Sequence, residues 1–201
     1  MMFYLLTDSM NAGDIIREET GKHYIYSYAR NAWERTGIFY DYFKRESSLY
    51  RQYHTISETE AAAHIELRCA EYDHLLALGK KALFQACFGR RQNGRPLIEE
   101  KLEIIGLCIE IEAKIVAAYY QLHEAPAALT ADTLQNAGLS LRMAFAYQAL
   151  IPDPDESRAD YYARVRSNTI AADVKYAELQ VLARDGDHRQ QALSDIAFLK
   201  L

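Results

Sequence analysis

The sequence predicts an all-α protein, an up-and-down bundle of five or six helices forming a single domain over residues 1–201. Three observations carry that expectation. Apolar residues recur at helical spacing in block after block, and the four prolines (Pro96, Pro126, Pro152 and Pro154) fall between the blocks. Ala, Leu, Glu, Arg and Gln, all good helix formers, fill the intervals without a convincing period-2 run. A chain of 201 residues is long enough to bury a sizeable core without disulfide or metal staples.

In the first block Tyr24, Tyr28, Ala32, Phe39 and Phe43 recur at intervals of four or seven, and Tyr50 and Tyr53 extend the stripe. That spacing predicts an amphipathic helix over 22–53. Gly37 opposes it, because an interior glycine costs a helix about 1 kcal/mol relative to alanine. Ser47 and Ser48 offer a second interruption, since their hydroxyls compete for backbone hydrogen bonds.

Ser57 followed by Glu60 is a capping-box signature, so the second helix is expected to start at Glu58 and reach Phe88. Its core stripe is Ala61, Ile65, Tyr72, Leu76, Leu83 and Cys87. Residues 89–96, with two glycines and a proline, read as a loop, and a third helix follows over 97–123. Its apolar residues cover so wide an arc that it is placed centrally in the bundle. Thr130 with Asp132 opens a fourth helix ending near Leu150, Ser157 opens a fifth running to Arg184, and residues 185–187 separate a short terminal helix.

Lys and Arg number 23 against 28 Asp and Glu, a net charge of -5 and a pI near 5.7, which is the wrong sign for wrapping a nucleic acid. Cys69, Cys87 and Cys108 are an odd set with no CxxC pair, the pattern of reduced thiols in a cytosol. The apolar start, Met1 to Leu6, has no basic residue before it and meets Asp8 at once, which is unlike a secretory signal. No stretch approaches the roughly 18 apolar residues of a membrane span. A cytoplasmic protein that binds neither membrane nor nucleic acid is expected.

The chemistry-bearing residues form four sets. On the second helix Glu60 and His64 are spaced i, i+4 and Glu71 and His74 are spaced i, i+3, all within roughly 80° of arc. Glu-x-x-His facing a bundle core is how di-iron carboxylate proteins hold metal. The two pairs lie about 16 Å apart along the axis, however, and no second Glu-x-x-His exists to complete a dinuclear centre. No metal or other cofactor is therefore expected, the alternative being a mononuclear site of Glu71, His74 and Glu112.

Glu112 falls inside the apolar arc of the third helix and needs a cationic partner or a cavity. Arg90, Arg91 and Arg95 surround a glycine-containing loop that could grip an acidic group, though no phosphate-loop pattern accompanies them. Fifteen tyrosines are the compositional oddity. On a helix Tyr24, Tyr26 and Tyr28 cannot share a face, so Tyr26, Tyr40 and Tyr50 are candidates for exposed, partner-binding rings.

No GxSxG turn or other nucleophile motif occurs, and His23, His54, His123 and His188 are scattered. The leading expectation is a non-enzymatic helical interaction module, such as an adaptor or a toxin-neutralising immunity protein, with a protein partner or a second copy of itself. The alternatives are a metal-dependent or ligand-binding bundle enzyme using Glu60, His64, Glu71, His74 and Glu112, and a small-ligand sensor.

Overall fold

The computed structural model describes residues 1–92, 95–122, 129–184 and 188–200. It corrects the expectation of an all-α helical bundle: the protein is α+β, 56% helical and 14% strand, with a five-stranded antiparallel sheet where the first helix was predicted. The chain divides into two compact units, 1–73 and 74–201.

The first unit holds β1 (Met2–Leu6), β2 (Ile15–Glu19), β3 (Lys22–Ser27), β4 (Ala32–Arg35) and β5 (Tyr53–Ile56) in the order β4-β3-β2-β1-β5. Between β2 and β3 the turn is only Thr20-Gly21, both at positive φ (50° and 72°), the mirror-image turn whose twist suits a two-residue hairpin. Asn31, also at positive φ, closes the β3–β4 turn. Cross-strand pairing of Arg17 with Tyr24 and of Tyr26 with Trp33 puts these four side chains on one face, because side chains alternate along a strand.

That face also carries Phe3 and Ile15, which pack with Ala61 and Ile65 of α1 (Glu58–Ala86). The opposite face carries Tyr4, Leu6 and Ile16, covered by Phe39 and Tyr42 of a short 3-10 helix, Ile38–Tyr42. β1 and β2 are thus enclosed on both sides, and Ile15 and Ile16 are both fully buried.

The second helix begins where the capping box placed it. Glu60 Oε2 accepts from the Ser57 amide and hydroxyl, each at 2.8 Å, and the Ser57 hydroxyl accepts from the Glu60 amide at 3.2 Å. Beyond Asp73, α1 continues into the second unit with a two-strand hairpin, β6 (Arg91–Gln92) and β7 (Arg95–Pro96), and the remaining helices. These are α2 (Leu97–Leu107), α3 (Ile111–Tyr120), α4 (Ala131–Asn136), α5 (Leu141–Leu150), α6 (Arg158–Arg166), α7 (Thr169–Leu182) and α8 (Arg189–Lys200).

Each predicted long helix beyond residue 96 is therefore two. The third breaks at Cys108–Glu110, where Asp173 of α7 accepts from the Ile109 and Glu110 amides at 2.8 and 3.0 Å and so supplies the cap of α3. The fourth breaks at Gly138, whose φ of +93° ends α4, and Ser140 restarts the chain by capping Met143. The fifth breaks at Asn168, whose side chain accepts from the Ala171 amide. α3 packs on α2, α5 and α7, and α7 additionally meets α6 and α8. Among the described residues no helix is long and apolar enough to cross a membrane.

Candidate functional site

The carboxylates considered for metal chemistry have other partners. Glu60 is held in the capping box, and Glu71 lies 3.6 Å from Arg68. His74 is exposed and His64 half-buried. Glu112 is buried and meets Arg142 of α5 in a two-pronged ion pair, Nε to Oε1 at 2.9 Å and Nη2 to Oε2 at 2.8 Å. Such fork geometry satisfies a buried carboxylate. Among the described residues no three His, Cys, Asp or Glu side chains converge as a metal site would require.

Of the arginines expected to act together, Arg90 precedes and Arg95 lies in one short hairpin, where the Leu97 amide donates to the Arg90 carbonyl at 3.0 Å. Arg95 reaches back to Glu99 and Glu103 of α2, at 3.8 and 4.0 Å. Arg90 lines a groove of about 260 Å³ with Phe84, Cys87, Phe88, Gly89, Pro96 and Ile98. The Arg91 side chain and His123 lie outside the described residues.

The tyrosines do not form one helical stripe, because residues 22–35 are strands. Tyr26 stands beside Trp33 and Tyr28, with ring centroids 5.2 Å apart in each pair, and donates to Asn31. Tyr40 belongs to the 3-10 helix, against the opposite face. Tyr50 is half-buried, with the Arg51 guanidinium 5.2 Å above its ring.

Around Tyr40 the structure builds an aromatic cluster that the sequence did not reveal. His23, 8% exposed, contacts Phe39, Tyr40 and Phe43 at centroid distances of 5.0, 5.2 and 6.3 Å. Phe39 in turn contacts Tyr4 at 4.6 Å and Tyr53 at 5.3 Å. Glu18 accepts from the Tyr4 hydroxyl at 2.8 Å and lies 3.9 Å from His23 Nε2. Burial, with that hydrogen bond to Glu18, pushes the Tyr4 phenol up to about 12.

Among the described residues the buried His23 Nδ1 has no hydrogen-bond partner. Above this packed base, Tyr40 is 53% and Phe43 47% exposed. The cluster holds two large rings at the surface in fixed positions, since both sit on a helix turn whose other aromatic residues, Phe39 and Tyr42, are fully buried.

A second polar centre secures the loop between β1 and β2. Buried Asp8 accepts from the Met10 and Asn11 amides, from Asn11 Nδ2 and from the Tyr42 hydroxyl, while Arg68 donates to the Ala12 carbonyl at 2.8 Å. Every one of these bonds ties the loop to itself, to the 3-10 helix or to α1. As for nucleophiles, burial pushes the Cys108 thiol up to about 12, and burial with the nearby Asp73 carboxylate raises the Cys69 thiol. The chain matches no protein-family model and no curated protein.

Proposed function

We propose that this protein is a non-enzymatic interaction module of a reducing, cytosolic compartment, acting as an adaptor or a toxin-neutralising immunity protein. Its docking face carries Tyr40 and Phe43. The observation that supports the reading is the pair of half-exposed rings seated on a base of buried His23, Phe39 and Tyr4 with half-buried Tyr53. Rigid aromatic anchors contribute large contact area at small conformational-entropy cost, which is why such rings dominate protein interfaces. The acidic balance disfavours a nucleic-acid partner, and the buried, protonated Cys108 gives no support to covalent catalysis.

The test is affinity capture from the source cells with the wild-type chain beside a Tyr40→Ser, Phe43→Ser variant. A partner retained by the wild type is expected to be lost from the variant. Its thermal midpoint should fall only modestly, because each ring is about half exposed, and that midpoint checks that the fold is intact. Equal capture by the two chains would place the docking face elsewhere.

A further inference from the structure

Residues 74–98 contain five basic residues, Lys80, Lys81, Arg90, Arg91 and Arg95, and no Asp or Glu, in a chain whose net charge is -5. At about 100° per residue Ala77, Lys80, Lys81 and Phe84 fall on one stripe of α1, and Phe88 continues it just past the helix end. All five of these residues are exposed. Phe84 is 55% exposed and Phe88 80%, so the C-terminal turns of α1 present two phenylalanines to solvent beside two lysines. Among the described residues neither Lys80 nor Lys81 has a carboxylate within salt-bridge distance.

Phe84 and Phe88 line the groove of about 260 Å³ together with Arg90, Pro96 and Ile98. Arg95 lies close by, held loosely by Glu99 and Glu103.

We propose that this groove docks a short acidic segment of a partner protein, with one aromatic or aliphatic anchor in the groove and flanking carboxylates on Lys80 and Lys81. The inference goes beyond the aromatic face of Tyr40 and does not rest on it. Charge complementarity selects the occupant: Lys80 and Lys81 stand one turn before Phe84 with no carboxylate at ion-pair distance among the described residues, and a flanking carboxylate a few ångströms away lies well inside the screening length of about 8 Å at physiological salt. A membrane or a nucleic acid fits less well, since each is an extended polyanion that also meets the net negative charge of the whole chain. The groove is smaller than the roughly 300 to 1,000 Å³ of small-molecule pockets, a size suited to one side chain.

The experiment pans a phage-displayed random dodecapeptide library on the full chain. The most enriched peptide is then measured by fluorescence anisotropy. Enrichment of an apolar anchor flanked by Asp or Glu is expected, with affinity falling at least about tenfold in a Phe84→Ser, Phe88→Ser variant. In Lys80→Glu, Lys81→Glu the affinity should fall by about fivefold or more and lose most of its salt dependence. Thermal midpoints of both variants check that the fold is intact.

Failure to enrich such peptides, or binding that survives both variants, overturns the inference, as does tighter binding to phosphatidylserine vesicles than to the peptide. The Tyr40→Ser, Phe43→Ser chain is carried in parallel. A peptide lost only from that chain would overturn this groove while leaving the proposed aromatic face standing.

Discussion

Tyrosine plays opposite roles in the two units. In residues 1–73 only Tyr4, Tyr42 and Tyr72 of nine tyrosines are buried, and the others stand half-covered or exposed along strands and turns. In residues 74–201, Tyr119, Tyr147, Tyr161 and Tyr162 of six are buried; Tyr161 donates to the Leu150 carbonyl at 3.0 Å and Tyr162 stacks on Phe198 at 5.7 Å. A strand presents its side chains to two faces, so a sheet near its edge leaves rings partly open. A helix surrounded by other helices closes over them. Half-open rings therefore prevail in the sheet unit and closed ones in the helical unit.

The largest expected effect would break the closed character of the helices. Arg142→Ala strands the Glu112 carboxylate in the interior and is expected to cost about 3 kcal/mol in urea unfolding. Glu112→Leu combined with Arg142→Met should recover most of that loss, and a single substitution without effect would show the pair to be dispensable.

Gly79 sharpens the same contrast. A Cβ there would lie 2.9 Å from the Ala118 Cβ and 3.1 Å from the Tyr119 ring, so α1 and α3 approach closely because that position has no side chain. Alanine would gain about 1 kcal/mol in helix propensity, but overpacking costs about 1 to 3 kcal/mol. Gly79→Ala should therefore destabilise by about 1 kcal/mol. At Gly106 in α2 a Cβ meets nothing within 4 Å, and Gly106→Ala should stabilise by up to about 1 kcal/mol. Equal shifts of the two thermal midpoints would contradict the close helix contact.

The smallest effects lie at the N-terminus of α1. Ser57→Ala is expected to cost about 1 kcal/mol. The Ser57 amide and hydroxyl hold the Glu60 carboxyl below its ordinary 4.5. A depressed carboxylate stabilises the fold above the unfolded value and ceases to do so as the pH falls through the folded one. The midpoint difference between wild type and Glu60→Gln should thus be full at about pH 7 and close as the pH drops below 4.5. A difference that grew on acidification would refute the assignment.

Local chemistry was legible in the sequence where it was decisive. The capping box at Ser57 and the caps at Thr130 and Ser157 stand where their side chains predicted, each accepting from an amide three residues on. The strands were missed for two physical reasons. β1 and the start of β2 are covered on both faces, so Met2–Leu6 and Ile15-Ile16 show a continuous apolar run without alternation.

The stripe Tyr24, Tyr28, Ala32 has a spacing of four, which is also a multiple of two and fits a strand as well as a helix. Tyr26, between its first two members, and the positive-φ turn at Thr20-Gly21 were the signals that separate the two readings. Of the candidate site, Tyr40 was named but its base was not, because His23, Glu18 and Tyr4 come together only through the pairing of three strands. The partner of Glu112 was unreadable for the same kind of reason, since it comes from a helix 30 residues on.

The cap that Asp173 places on α3 also has a consequence in time. Asp173 lies 64 residues after Ile109, and a ribosome adding about 5 to 20 residues per second makes it roughly 3 to 13 s later. During that interval the nascent segment spanning α2 and α3 lacks the carboxylate that holds the Ile109 and Glu110 amides. The two bonds that Asp173 makes at the break between α2 and α3 can therefore form only after α7 has been made, so that elbow draws on a contact distant in the chain and not on its own residues alone.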